Sequence, residues 1–118
     1  MKIYTTAPLE DPRQARTVYR ELEEIGYDGG FSFEARHNPF LAIAVAAEHT
    51  GRMRLGTAIA IAFARNPMDL AGLGYDLQVI TGGRFVLGLG TQVRPHIENR
   101  FSSTWSKPAA RLREIVLA

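Results

Sequence analysis

No cysteine occurs among the 118 residues, so a disulfide framework, a thiolate nucleophile and a cysteine-ligated metal are all excluded. Histidine is scarce as well. His37, His49 and His96 are the three present, and no two of them stand at metal-ligand spacing, so no metal site is expected. No stretch approaches the roughly 18 apolar residues of a membrane span, and the opening MKIYTTAPLEDP lacks the apolar core of a signal peptide; a cytoplasmic location is the expectation. Charge of one sign is lacking too: 14 basic and 12 acidic residues are scattered, net +2, with no basic run dense enough for nucleic acid. What remains, 46% hydrophobic and 22% charged, is the make-up of a globular chain of one domain at most.

Strand and helix signals alternate. Ile3 to Thr6 is short and β-prone, and Asp11-Pro12 then opens a helix whose apolar residues Ala15, Val18, Tyr19, Leu22 and Ile25 recur at helical spacing up to Gly26. Gly29 to Phe33 is a second apolar run, followed by Asn38-Pro39 and an alanine-rich helix from about Phe40 to His49. Arg54 to Ala62 is apolar on successive residues, the pattern of a parallel strand buried on both faces. Asn66-Pro67 repeats the helix start, the helix runs to about Ile80, and Thr81-Gly82-Gly83 ends it before a fourth strand, Arg84 to Gly90. A loop from Thr91 to Ser106 leads to a last helix carrying Ala110, Leu112, Ile115 and Val116. Four such units imply a parallel sheet with right-handed crossovers. Two α/β architectures compete: a complete doubly wound sheet, or half of a TIM barrel, which takes about 250 residues when whole.

The run GLGTQV at 88–93 has neither the G-x-G-x-x-G spacing nor a G-K-[ST], and its glycines lie inside the strand, which argues against a Rossmann fingerprint. Gly88 and Gly90 instead make room for a neighbour or for a ligand against the strand. Thr91 and Gln92, just past the strand end, fall where a barrel keeps its active site. Glu34, Arg36 and His37 follow the second strand at the same edge; a histidine near a carboxylate suits proton transfer near neutral pH, and a solvated loop would carry the same residues. His49, near a helix end, reads as structural.

ELEEIGYDG, AAEHTGRMRLGTAIAIAFARNP, ITGGRFVLGLGTQV and RFSSTWSKPAARLREIVLA together resemble the luciferase-like flavin-dependent oxidoreductases, and among them the branch using the deazaflavin coenzyme F-420. The resemblance runs from about Arg16 to Ala118. It implies a TIM (β/α)8 barrel of the luciferase-like type, of which residues 1–118 would hold the first four β/α units as a truncated N-terminal half. It also implies a non-prolyl cis peptide in a bulge of the third strand, against which the cofactor ring packs; aligned on LGTAIAIA, that bond falls between Ala58 and Ile59. The small Ala58 and Ala60 suit a flat ring, and Ala58, Ile59, Ala60, Gly90, Thr91 and Gln92 are thereby the expected cofactor contacts.

In related deazaflavin enzymes an Asp-x-His or Asp-His follows the second strand; here Glu34 takes the acidic position and the histidine comes at His37. Some relatives place a glutamate just after the fourth strand's glycine-threonine pair, where this chain has Gln92 and Val93. The resemblance therefore implies hydride transfer between coenzyme F-420 and a small organic substrate, with His37 or Glu34 as catalytic proton donor. FMN with a monooxygenase reaction is the alternative, and a non-catalytic half barrel the second alternative. A homodimer of the full-length protein is implied through the second and third helices, where Ala42, Ala46 and Ala47 would suit close packing, there or against the barrel.

Overall fold

The structure, a computed structural model, describes residues 1–118. Its elements are β1 (Tyr4–Thr6), a 3₁₀ turn (Pro12–Gln14), α1 (Ala15–Ile25), β2 (Gly29–Ser32), α2 (Pro39–Ala47), β3 (Arg54–Thr57) and β4 (Ala60–Ile61). A second 3₁₀ turn (Ala62–Ala64), α3 (Pro67–Ile80), β5 (Phe85–Val86), β6 (Leu89–Gly90), α4 (Arg94–Phe101) and α5 (Pro108–Leu117) follow. No helix is long and apolar enough to cross a membrane.

The helix starts are built from the capping signals of the sequence. Asn38 and Asn66 each accept the amide of the residue two further on, Phe40 at 3.0 Å and Met68 at 2.8 Å, and each is followed by a proline whose missing N–H costs nothing in a first turn. Asp11 caps the first turn through the Arg13 amide at 2.8 Å while Gln14 reaches back to the Asp11 amide at 3.2 Å. At the far end of α1, Gly26 adopts φ 113°, a left-handed conformation, and the Gly26 and Tyr27 amides both return to Leu22 O.

All strand pairings are parallel, in the order β1-β2-β3-β5, with β4-β6 prolonging the last two strands. The α-helices cover one face. Tyr19, Ile43, Met53 and Leu55 are fully buried there, and a methyl group on Gly30 would run into the Tyr19 ring. The opposite face is the one a barrel turns inward. On it Tyr4 and Phe31 meet edge to face at 5.6 Å, and Gly29 and Gly56 leave room for their rings; a Cβ on Gly56 would stand 2.7 Å from Phe31 and 2.5 Å from Val86 O. Helices on one side and glycine-spaced aromatics on the other make this the first four β/α units of a TIM-type barrel. A doubly wound sheet would carry helices on both faces.

Two expected strands are interrupted. Leu55 pairs with Phe85 and Gly56 with Val86, but Ala60 pairs with Leu89. The third strand thus takes four steps where the fourth takes three, which is a one-residue bulge. The other departure is α4, inside what reads as a loop: RPHIENRF holds one deeply buried apolar residue, Ile97, too few for an amphipathic period, and Pro95 opens the helix instead. Ala42, Ala46 and Ala47 are all buried within the chain, so they pack against the barrel and offer no outer face.

Candidate active site

Because every strand is parallel, the segments after β1, β2, β3 and β6 emerge at one edge of the sheet. The bulge forms a ledge there. The Ala58-Ile59 peptide bond is cis. Ala58 N donates to Ser32 O at 2.8 Å and Ala60 N to Gly88 O at 2.9 Å, while the Thr57 hydroxyl donates to Gly88 O at 2.7 Å and accepts from Gly88 N at 3.0 Å. Ala58 is exposed and Ile59 is 36% exposed, so both present apolar surface at the ledge. Gly90 lies directly beside Ile59, since a Cβ on it would come within 2.8 Å of Ile59 Cδ1. The structure thereby brings Ala58, Ile59 and Gly90 together.

Ala60 is placed elsewhere. In an unbroken strand it would share a face with Ala58, but the extra residue of the bulge shifts the alternation, and Ala60, opposite Leu89, is fully buried in the helix-covered core. It is out of reach of a ligand on the ledge. Thr91 and Gln92 are half-buried just beyond β6. Gln92 takes φ 61°, its carbonyl accepts from the Thr91 hydroxyl at 3.0 Å, and its side-chain oxygen accepts from Val93 N at 3.0 Å. This turn delivers the chain into α4.

The expected Glu34 and His37 pair does not form. The Glu34 carboxylate is only 7% exposed and turns towards the third strand, where Oε2 accepts from Ile61 N at 2.6 Å and from Arg65 Nη1 at 2.6 Å, and Oε1 accepts from Arg65 Nη2 at 2.9 Å. Arg65, 13% exposed, also donates to Ile61 O at 2.9 Å and lies over the Phe40 ring at 5.2 Å. Such a bidentate, enclosed pair engages both carboxylate oxygens inside the protein. Arg65 had no counterpart among the expected site residues. The signal available was Glu34 itself, since an acid at the end of a buried strand needs a cation, and FARNP supplies one just before a helix cap.

His37 is exposed and lines a cleft of about 170 Å³ between the segments after β1 and β2, together with Pro8, Glu10, Ser32, Arg36 and Asn38. Arg36 pairs loosely with Glu10 at 3.6 Å, both in solvent. Asp11 stands at the same cleft end, its carboxyl held down to about 2 chiefly by the hydrogen bond from the Arg13 side chain, with a smaller attraction from His37. His49 is exposed just beyond α2 and His96 lies in α4.

On the far side of the third strand, Phe63 packs edge to face with Trp105 at 5.4 Å, its carbonyl accepts from the Ser103 hydroxyl at 2.9 Å, and the Arg111 guanidinium covers its ring at 4.3 Å. The segment after α4 is thus tied back over the turn that follows the ledge.

The family model described as luciferase-like monooxygenase matches residues 2–118. An uncharacterised protein of Mycobacterium tuberculosis is 61% identical over 97 residues, covering 82% of this chain and 28% of its own length. A second M. tuberculosis protein, provisionally named a coenzyme F-420-dependent oxidoreductase, is 31% identical over 108 residues, 91% of this chain and 31% of its own. Among solved structures, the FMN-bound oxygenating constituent of 3,6-diketocamphane monooxygenase from Pseudomonas putida superposes with a TM-score of 0.82 over 99% of this chain and 38% of its own, at 21% identity, a likeness of fold. The chain thus spans less than a third of the length of the curated relatives it matches.

Proposed function

As the chain belongs to the luciferase-like monooxygenase family, whose members are oxidoreductases and monooxygenases, we propose that it supplies the ring-binding part of an oxidoreductase that uses coenzyme F-420. The observation that carries this reading is the Ala58-Ile59 ledge: an exposed apolar step at the carboxyl edge of a parallel sheet, beside a glycine whose missing side chain leaves the step uncovered. A flat tricyclic ring fits such a surface, and the backbone around it is held by Ala58 N to Ser32 O and Ala60 N to Gly88 O. The chemistry a bound deazaflavin supplies is hydride transfer to or from a small organic substrate. Ile59 and Ala58 would support one face of the ring, the turn at Thr91 and Gln92 would bound its edge, and His37, in its cleft at the same edge, would hold or release the substrate's proton. Glu34, enclosed with Arg65, is not assigned the proton.

The test is a titration of purified protein with coenzyme F-420 and, separately, with FMN, followed by quenching of each chromophore's fluorescence. Saturable quenching of F-420 with weaker or no response to FMN is expected. Preferential binding of FMN would replace this reading with an FMN-dependent monooxygenase, for which the FMN-bound fold relative is the precedent. No binding of either would favour a non-catalytic half barrel.

The same reading includes a homodimer. Along α3, Met68, Gly72, Tyr75 and Val79 fall on one stripe and all are exposed, with Leu41 of α2 also exposed. A second copy of the protein is the occupant proposed for that stripe.

A further inference from the structure

The bulge frees the backbone of the ledge from its strand neighbours on one side. Pairing between β2 and β3 ends at Ser32 and Thr57, so the polar groups of Ile59 to Ile61 that point towards the second strand have no ladder to join. Buried backbone groups need partners. Glu34 and Arg65 provide them: Glu34 N donates to Ile59 O at 3.1 Å, the Glu34 carboxylate takes Ile61 N at 2.6 Å, and Arg65 donates to Ile61 O at 2.9 Å. The salt bridge between the two side chains, 2.6 Å and 2.9 Å on its two arms, closes these bonds into one ring of contacts behind the ledge. On its other side the same segment is held by Gly88 of the fourth strand, which bonds to the Thr57 hydroxyl and to Ala60 N.

We propose that Glu34 and Arg65 are positioning residues: as a buried ion pair they take the place of a missing strand partner and fix the height and tilt of the Ile59 step on which the cofactor ring rests. The inference builds on the ring-binding reading and assigns Glu34 a role other than proton donor. A carboxylate and a guanidinium suit this because a carboxylate can accept a main-chain N–H and a bidentate guanidinium together, while the guanidinium has a donor to spare for the Ile61 carbonyl. Lysine at position 65 could not make the fork.

Three readouts on the full chain decide it. Glu34→Gln keeps the shape of the side chain and weakens the fork; Glu34→Leu combined with Arg65→Met removes both charges together, which avoids the stranded ion that a single apolar substitution would leave. In the double variant, where the Ile61 amide loses its acceptor, hydrogen exchange at the segment 58–61 is expected to accelerate by about tenfold or more, and by less in Glu34→Gln, whose amide oxygen can still accept. Affinity for F-420 is expected to fall by about tenfold or more in both, including in the double variant after its melting temperature has recovered. Wild-type ring affinity in a stably folded double variant would overturn the proposal and reduce the pair to stabilising contacts. In turnover assays Glu34→Gln is expected to lower affinity and rate without moving the pH profile; loss of an ionisation limb would show Glu34 to be an acid or base and would equally overturn it. If the wild-type protein binds neither F-420 nor FMN, the functional reading fails, and unchanged exchange at 58–61 would independently overturn the positioning role.

Discussion

Gly88 is where substitution by the smallest possible side chain should do the most damage. It sits between the two halves of the fourth strand with its α-carbon turned towards the third, and a Cβ there would overlap the Thr57 carbonyl oxygen. Neither atom belongs to a flexible side chain, so relief requires the strands to part. Three hydrogen bonds cross this seam, from Thr57 Oγ1 to Gly88 O, from Gly88 N to Thr57 Oγ1 and from Ala60 N to Gly88 O. At about 0.5–1.5 kcal/mol each, their loss amounts to about 2–4 kcal/mol. Overpacking adds about 1–3 kcal/mol. Gly88→Ala should therefore cost about 3–7 kcal/mol, a large share of the about 5–15 kcal/mol that holds a domain together. Gly74→Ala is the control: it lies inside α3, where a Cβ would make only ordinary contact with Leu87 at 3.6 Å, and should stabilise by about 0.5–1 kcal/mol. Urea unfolding followed by circular dichroism reads both. A midpoint lowered by more than about 1 M for Gly88→Ala and slightly raised for Gly74→Ala is expected. Equal midpoints for Gly88→Ala and wild type would refute the steric reasoning.

Further expectations concern pH, the proton donor and assembly. Burial raises the pKa of Glu23, but the amides of Gly51, Met53 and Arg52 lower it more, leaving it below its usual 4.5. The unfolded chain then binds the proton more tightly, so this contribution is complete above 4.5 and is lost as pH falls below it. Glu23→Gln should accordingly lower the melting temperature at pH 7, with a gap that narrows on acidification; a gap constant from pH 7 to pH 3 contradicts the assignment. His37→Asn should reduce turnover by about 10²-fold or more while F-420 affinity stays within a factor of about two, read by steady-state kinetics against direct titration. Tyr75→Glu, on the exposed α3 stripe, should convert a sedimenting dimer to monomer, and an unchanged sedimentation coefficient would remove that face from consideration.

How much of this was legible in the sequence depended on whether a signal was local. Asn38-Pro39, Asn66-Pro67 and Gly26 mark helix ends through contacts within a few residues, and each lies where its chemistry places it. The choice between an open sheet and a barrel was not local, and the resemblance of LGTAIAIA and TGGRFVLGLGTQV decided it together with the position of the cis bond. Continuous apolarity in 54–62 concealed the bulge, because a run without alternation carries no phase to break; the misplacement of Ala60 follows from that. The pairing of Glu34 was missed for another reason. His37 was its neighbour in sequence, whereas Arg65 lies 31 residues away and meets it only once the second and third strands are side by side. Pairing by sequence proximity picks the wrong partner whenever a loop turns one side chain outward and its neighbour in.

Tyr4 and Phe31 lie on the uncovered face of the sheet, over Gly29 and Gly56, Phe31 in the row next below the ledge and Tyr4 in the row below that. Their rings form a floor. A molecule resting on Ala58 and Ile59 would have aromatic carbon beneath it, and its depth of entry would be set by how far Phe31 rises above Gly56. Enlarging either glycine would lift that floor, so the surface a ligand on the ledge would meet is shaped by residues it would never touch.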